Sequence, residues 1–239
     1  MNKNIRLLLG LLLFSFHCLA QEEIMEEEYA PYHIFFSPYF QVGFPQDVLQ
    51  TNIDRVGYGG GAVVVFQIKR LPVFAGVDLT FLNFDRESET YTDNTEWTSR
   101  TNLFMGHGVL RFQPFVDFPI YPYFDALFGV KHFYARTTVE FLDTDESDSS
   151  GNGSDTALSY GFAAGAQFAI FRNSAITMDF RCSYLPGNNA TYFARNPDAN
   201  GPYNDPIEAF QQRTTPTPIL LLQLGVTMNL NDPLFSDDE

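Results

Sequence analysis

The chain has 239 residues and a formal charge of −15, from 14 basic and 29 acidic side chains. That length suits one large β domain or two small ones. The acidic balance argues against nucleic acid as a partner.

Residues 1–20 read as a secretory signal peptide. Lys3 and Arg6 come first, then the short apolar run LLLGLLLFSF, then Cys18-Leu19-Ala20 before Gln21. Removing it takes away two basic residues and no acidic one, so the remaining charge is −17. Cys182 is then the one cysteine left, and an exported chain of this kind has no internal disulfide to rely on. Residues 21–30, QEEIMEEEYA, form an acidic tail, and residues 232–239 form another. Beyond residue 20 the longest apolar run, PILLLQLGV, is interrupted by Gln223 and is half the length of a spanning helix. Strands of a membrane barrel are not excluded by this, because they alternate and look only mildly apolar.

Period-two alternation is the dominant pattern. It predicts eight strands, near 32–43, 56–69, 73–86, 99–112, 121–141, 157–171, 174–185 and 217–230. Pro38 inside the first predicts a bulge or an irregular start. In the third, Ala75, Val77, Leu79 and Phe81 oppose Gly76, Asp78, Thr80 and Leu82. In ITMDFRCSYL, the seventh, Ile176, Met178, Phe180, Cys182 and Tyr184 share one face, and Thr177, Asp179, Arg181 and Ser183 share the other. In the eighth, Leu220, Leu222, Leu224, Val226, Met228 and Leu230 oppose a mixed face carrying Gln223 and Gly225. The connections alternate as well. Segments 44–55, 87–98, 142–156 and 186–216 are long and polar, and those at 70–72, 113–120 and 172–173 are short. This is the layout of an up-and-down antiparallel barrel, with an even strand number placing both termini on one side.

The segment 30–231 resembles the eight-stranded outer-membrane β-barrel family, which includes the OmpA-like transmembrane domain and the PorT-like barrels. The resemblance rests on the exported start, on YGGGAVVVFQIKRLPVFAGVDLTFLNF as a tight hairpin, and on the final apolar strand. Such barrels often end on an aromatic. Here Leu230-Asn231 is followed by DPLFSDDE, with Phe235 as the nearest aromatic. The resemblance implies an outer-membrane location with periplasmic termini, a monomer surrounded by membrane lipid, and a structural or interaction role through the outer loops.

A lipid-facing charge near mid-membrane costs roughly 2–4 kcal/mol. Asp78, Arg100, Asp125, Lys131, Asp179 and Arg181 are therefore expected in the lumen as a neutral ion-pair network, with Gly76, Gly161, Ala163, Gly165 and Gly225 making room for it. The loop 186–216 carries Tyr192, Phe193, Tyr203, Ile207 and Phe210 and reads as a binding surface or a lid over the barrel mouth. Within it, Asp205, Pro206 and Glu208 suit N-cap, N1 and N3 of a short helix reaching Arg213. The acidic run holding Asp143, Asp145 and Asp148 is a calcium candidate, although it has Asp148 where the EF-hand loop needs glycine. Thr156, in Asp155-Thr156-Ala157, fits a short O-glycosylation motif. His33, His107 and His132 stand apart from any repeated lipid-facing serine.

The expectation is an all-β, eight-stranded antiparallel up-and-down transmembrane barrel with no catalytic residues, no cofactor and no metal. Its partners are membrane lipid and a protein or ligand at the loops. Three rivals remain: a lipid-modifying enzyme, an accessory barrel of a secretion system, and a soluble exported barrel with a ligand in its lumen.

Overall fold

The computed structural model describes residues 33–53, 55–92, 95–115, 118–141, 146–169, 175–195 and 210–231. The signal-peptide and acidic-tail expectations at both ends, and Tyr203, Ile207, Asp143 and Asp145, lie outside them.

Alternating apolar and polar residues can satisfy both faces only as a strand, and eight such segments pair into one sheet. They are β1 (Ile34–Pro45), β2 (Gly57–Gln67), β3 (Val73–Thr92), β4 (Thr95–Phe112), β5 (Ile120–Phe141), β6 (Glu146–Ala169), β7 (Ile176–Leu185) and β10 (Ile219–Asn229). Neighbours in sequence pair antiparallel, β7 pairs with β10, and β10 returns to β1, closing an eight-stranded barrel. Closure leaves no free edge around the ring. β8 (Asn189–Arg195) and β9 (Phe210–Pro216) form a separate hairpin in the β7–β10 connection, and the six-residue helix α1 (Asp47–Asn52) sits between β1 and β2.

Three expectations need correction. First, 87–98 and 142–156 are not loops: β3 runs to Thr92, β4 starts at Thr95, β5 runs to Phe141 and β6 starts at Glu146. ESETYT and TEWT carry Thr, Tyr and Trp, which favour strands, whereas ESDSSGNGSDT of β6 is rich in Gly and Asp, which do not; all three lack hydrophobic alternation, so periodicity misses them. Second, the helix expected through Arg213 is absent over Phe210–Arg213, which belongs to β9. Third, Pro38 causes no bulge, although the ladder to β10 breaks between Phe36 and Tyr39. The registers Phe36↔Met228 and Tyr39↔Gly225 are in step, and Pro38 itself sits opposite Ala62.

The lumen is filled in three levels. Next to the short turns, Phe35 packs on Phe74 with ring centroids 5.3 Å apart. The middle is polar. At the loop end, Leu82, Phe84, Leu103, Phe133, Leu185, Ile219 and Leu221 form an apolar layer that Leu49 of α1 and Tyr192 of β8 complete. The outer face is the reverse: Phe40, Val77, Leu79, Leu110, Phe128, Phe162, Phe180 and Leu224 are all exposed.

Candidate functional site: a charged core beneath a hairpin lid

Asp78, Asp125, Asp179 and Arg181 all point into the barrel and are buried. The residue that organises them is Arg111 of β4. Its Nε donates to Asp125 Oδ1 at 2.8 Å and its Nη2 to Oδ2 at 3.1 Å. Arg181 Nη2 lies 2.9 Å from the same Asp125 carboxylate, and Arg181 Nη1 donates to Asp78 Oδ2 at 2.8 Å. One carboxylate thus serves two guanidiniums, and the chain continues Arg111–Asp125–Arg181–Asp78. Tyr39 donates its hydroxyl proton to Asp78 and contacts Thr80. Asp179 accepts from Tyr123 Oη at 2.6 Å and Thr227 Oγ1 at 2.9 Å. The Arg111 guanidinium stacks on the Tyr123 ring, 3.7 Å from its centroid.

Glycines on the inner face make room for the two tyrosines. A Cβ at Gly165 would stand 2.4 Å from the Tyr123 ring, and one at Gly61 would stand 2.6 Å from Tyr39 Oη. Next to the network, a cavity of ≈ 10 Å³ lined by Tyr39, Arg111, Asp179 and Arg181 has room for about one water.

Of the other two expected network members, one is outside the described residues and one behaves differently. Arg100 lies in β4, but its side chain is outside the described residues. The basic residue that β4 supplies is Arg111, directly opposite Asp125 in the β4–β5 register. Gly106 and Gly108 thin the apolar outer face of SRTNLFMGHGVLRF while Leu103, Met105 and Val109 are apolar on the inner one, which hides its phase. Yet Arg111 falls in step with Met105, His107 and Val109, and this spacing could have found it. Lys131 is fully buried but is not part of the ion-pair network. Its Nζ donates to the carbonyls of Thr217 at 2.6 Å, Leu185 at 2.7 Å and Pro186 at 3.4 Å. Those carbonyls lie where the chain leaves β7 and re-enters β10, so one ammonium grips both feet of the β8–β9 hairpin.

The hairpin is held down at further points. Tyr192 is 3 % exposed, stacks on Phe133 at 5.6 Å, and hydrogen-bonds Asn52 of α1 and Thr215 of β9. Of the two readings of this segment, binding surface or lid, the placement of this ring down on the barrel fits the lid. Phe193 and Phe210 pair their backbones in the hairpin, opposite Gln212 and Arg195, and their side chains lie outside the described residues. Asp155 Oδ2 accepts from the Thr191 backbone N–H at 2.7 Å and Oδ1 from that of Thr156. These two amides, Thr191 first, hold the Asp155 carboxyl below the usual carboxylate range.

The remaining candidates do not come together as a site. Asp148 is a β6 strand residue opposite Val139, with its side chain outside the described residues. Thr156 lies in a paired strand, not in a loop, and its hydroxyl is 2.8 Å from His132 Nδ1. His33 stacks on Phe35 near the turn end. His107 Nε2 is 2.8 Å from Ser159 Oγ, a base–hydroxyl pair that adjacent-residue spacing in the sequence missed, because the partners stand on β4 and β6. Both are buried in the lumen, and Ser159 bridges to Gly187 at the foot of the lid. The pair therefore has no lipid-facing side.

No protein-family model matches the chain, and no curated protein matches it. Solved structures similar to it include Neisserial surface protein A, at 11% identity over 83% of this chain and 96% of that one, with a TM-score of 0.38. Ail, the attachment invasion locus protein of Yersinia pestis, matches at 14% identity over 82% and 96%, with a TM-score of 0.35. A major outer membrane protein from Thermus thermophilus matches at 14% identity over 82% and 98%, with a TM-score of 0.42. A likeness at this level says nothing of what the chain does.

Proposed function

We propose that this chain is an integral outer-membrane barrel without catalytic activity, whose sealed lumen serves as a rigid core and whose loop end is an interaction surface. The observation that carries this reading is the apolar belt on a closed barrel. On β6, exposed apolar residues run from Leu158 through Tyr160 and Phe162 to Phe168. The ten rises between them, of about 3.3 Å each and tilted by about 40°, span roughly 25 Å, the height of the lipid-facing band of such barrels. A soluble carrier with a ligand in its lumen needs the opposite arrangement, an apolar interior and a polar exterior. Here the ion pairs are inside and Phe, Leu and Val are outside.

The connections support an orientation. The ends joined at 68–72, the C-terminal end of β4 with the start of β5, and the C-terminal end of β6 with the start of β7 share one end with both chain ends of the barrel, where Leu230 N donates to Ile34 O. In an outer membrane this end faces the periplasm. The lid and the extended β3–β6 wall then face outside. A sealed lumen suits a scaffold better than a pore.

Separation of the membranes tests the proposal. The protein belongs in the outer-membrane fraction and its unboiled form migrates differently from the boiled form on a denaturing gel. A soluble periplasmic protein with one unchanging band would overturn the reading.

A further inference from the structure

Tyr39, Gly225 and Asp179 stand in one row across three strands of the lumen wall. Tyr39 is opposite Gly225 in the β1–β10 ladder, and Gly225 is opposite Asp179 in the β10–β7 ladder. Directly opposed residues of a ladder share a face, so the middle place of this inward row has no side chain. None can be added there. A Cβ at Gly225 would collide with the Pro38 carbonyl oxygen and stand 2.8 Å from Tyr39 Cβ. The cavity of ≈ 10 Å³ beside the charged core lies at this place, and Gly225 lines it with Tyr39, Val63, Arg111, Asp179 and Arg181.

The hydrogen bonding of the core is incomplete at the same residues. Arg111 turns one edge to Asp125 through Nε and Nη2. Its third nitrogen, Nη1, is buried and meets no acceptor among the described residues. Arg181 gives Nη1 to Asp78, and its buried Nε meets no acceptor among them either. Buried donors in folded proteins nearly always find a partner, in the protein or in an ordered water, because leaving one unmade is costly. Asp179 is the complement. It accepts from Tyr123 at Oδ1 and from Thr227 at Oδ2, so each oxygen keeps a lone pair. Asp78 and Asp125 pair with arginines, whereas Asp179 makes no ion pair among the described residues.

We propose that this cavity is a binding site for one structural water, which accepts from Arg111 Nη1 and Arg181 Nε and donates to Asp179. Size and charge select the occupant. The volume admits one water and nothing larger. Three aspartates stand against two arginines in this core, so an anion would add to an excess of negative charge. A cation cannot accept from guanidinium N–H groups. Water both accepts and donates, and three partners is the usual number for a buried one. It joins the Tyr123–Asp179–Thr227 group to the Arg111–Asp125–Arg181–Asp78 chain as one network. The site lies inside the lumen, so the inference does not rest on the outer-membrane reading.

The test is a crystal structure of the full chain in detergent, grown once from chloride and once from bromide, at a resolution that shows ordered waters. A density peak is expected within about 3.2 Å of Arg111 Nη1, Arg181 Nε and an Asp179 carboxylate oxygen, with no anomalous signal in bromide. An anomalous peak there overturns water in favour of a halide. The absence of any peak beside two ordered arginines overturns the site. Magnetic relaxation dispersion of water oxygen-17 reads the same occupant in solution. Val63→Ile adds one carbon to a side chain that lines the cavity, and it is expected to reduce the dispersion amplitude by one long-lived water. An unchanged amplitude in a V63I protein that keeps its heat-modifiable band places the long-lived waters elsewhere and overturns the assignment. If V63I does not fold, Ser37→Thr replaces it in the same measurement, because it adds one methyl group at the cavity wall and keeps the hydroxyl.

Discussion

Asp125 is the residue on which the charged core turns, because two guanidiniums share its carboxylate in a site closed to water. Removing one partner of a buried pair leaves charge uncompensated and costs about 3–5 kcal/mol. Asp125→Asn is therefore expected to destabilise the barrel by that amount in denaturant unfolding in micelles. Combining it with Arg111→Met should recover part of the loss, since the two residues act as a unit. Asp155 works at the surface of the lid and is accessible to pH. Its carboxyl is held low by the Thr191 and Thr156 amides, so the folded form has the lower pKa. The stabilisation is present above the unfolded value of about 4 and is lost as pH falls through the folded one. Acidification into this window, or Asp155→Asn at neutral pH, should lower the protection of the Thr191 amide relative to its intrinsic exchange rate at the same pH and leave the β4–β5 ladder protected. Unchanged protection would show that the hairpin does not depend on this contact.

At the scale of elements, the hairpin β8–β9 is a closed lid because its feet are gripped. Lys131 donates to carbonyls on both sides of it, and Leu185 and Ile219 beside those feet are buried in the same apolar layer as Leu49 and Tyr192. Lys131→Met keeps the length of the side chain but orphans these carbonyls, at a cost of roughly 1–3 kcal/mol. The expected result is faster proteolysis within the β7–β10 connection while the barrel keeps its unboiled gel mobility. If the variant is cut no faster than wild type, Lys131 is not the pin. Tyr192→Phe removes the bonds to Asn52 and Thr215 but keeps the stack on Phe133, so a smaller change in the same assay is expected.

At the scale of the whole molecule, the fold turns a sheet inside out relative to a soluble barrel. Charges fill the middle of the lumen beside a cavity with space for about one water, and an apolar belt faces outward. Cys182 reports on this. It is a free thiol in β7 between Phe180 and Tyr184, on the face opposite Arg181. In a membrane it should react with a lipid-soluble maleimide and resist a charged one until the protein is unfolded. Equal labelling by both reagents in the folded state would place this face in water.

Period two by itself determined the number of barrel strands and the inward face of β7, because the side-chain period of a strand is a local property of the backbone. Asp179 and Arg181 share a face whatever they pack against. The same period failed over ESETYT, TEWT and ESDSSGNGSDT, whose polar runs give no contrast between faces, so the continuations of β3, β4 and β6 read as loops. It failed too at Arg111, because Gly106 and Gly108 on the outer face and Met105 and Val109 on the inner one leave little contrast between faces. Which charges meet was decided by register and closure: Arg111 is opposite Asp125 across one ladder, while Arg181 reaches Asp78 across the lumen from β7 to β3. Lys131 is the clearest case. Its charge and inward face are readable in the chain, but its partners are carbonyls that come within reach only when the β7–β10 connection folds back over the barrel mouth. A long-range contact depends on where strands end and how the sheet closes, and neither is a local property of the sequence.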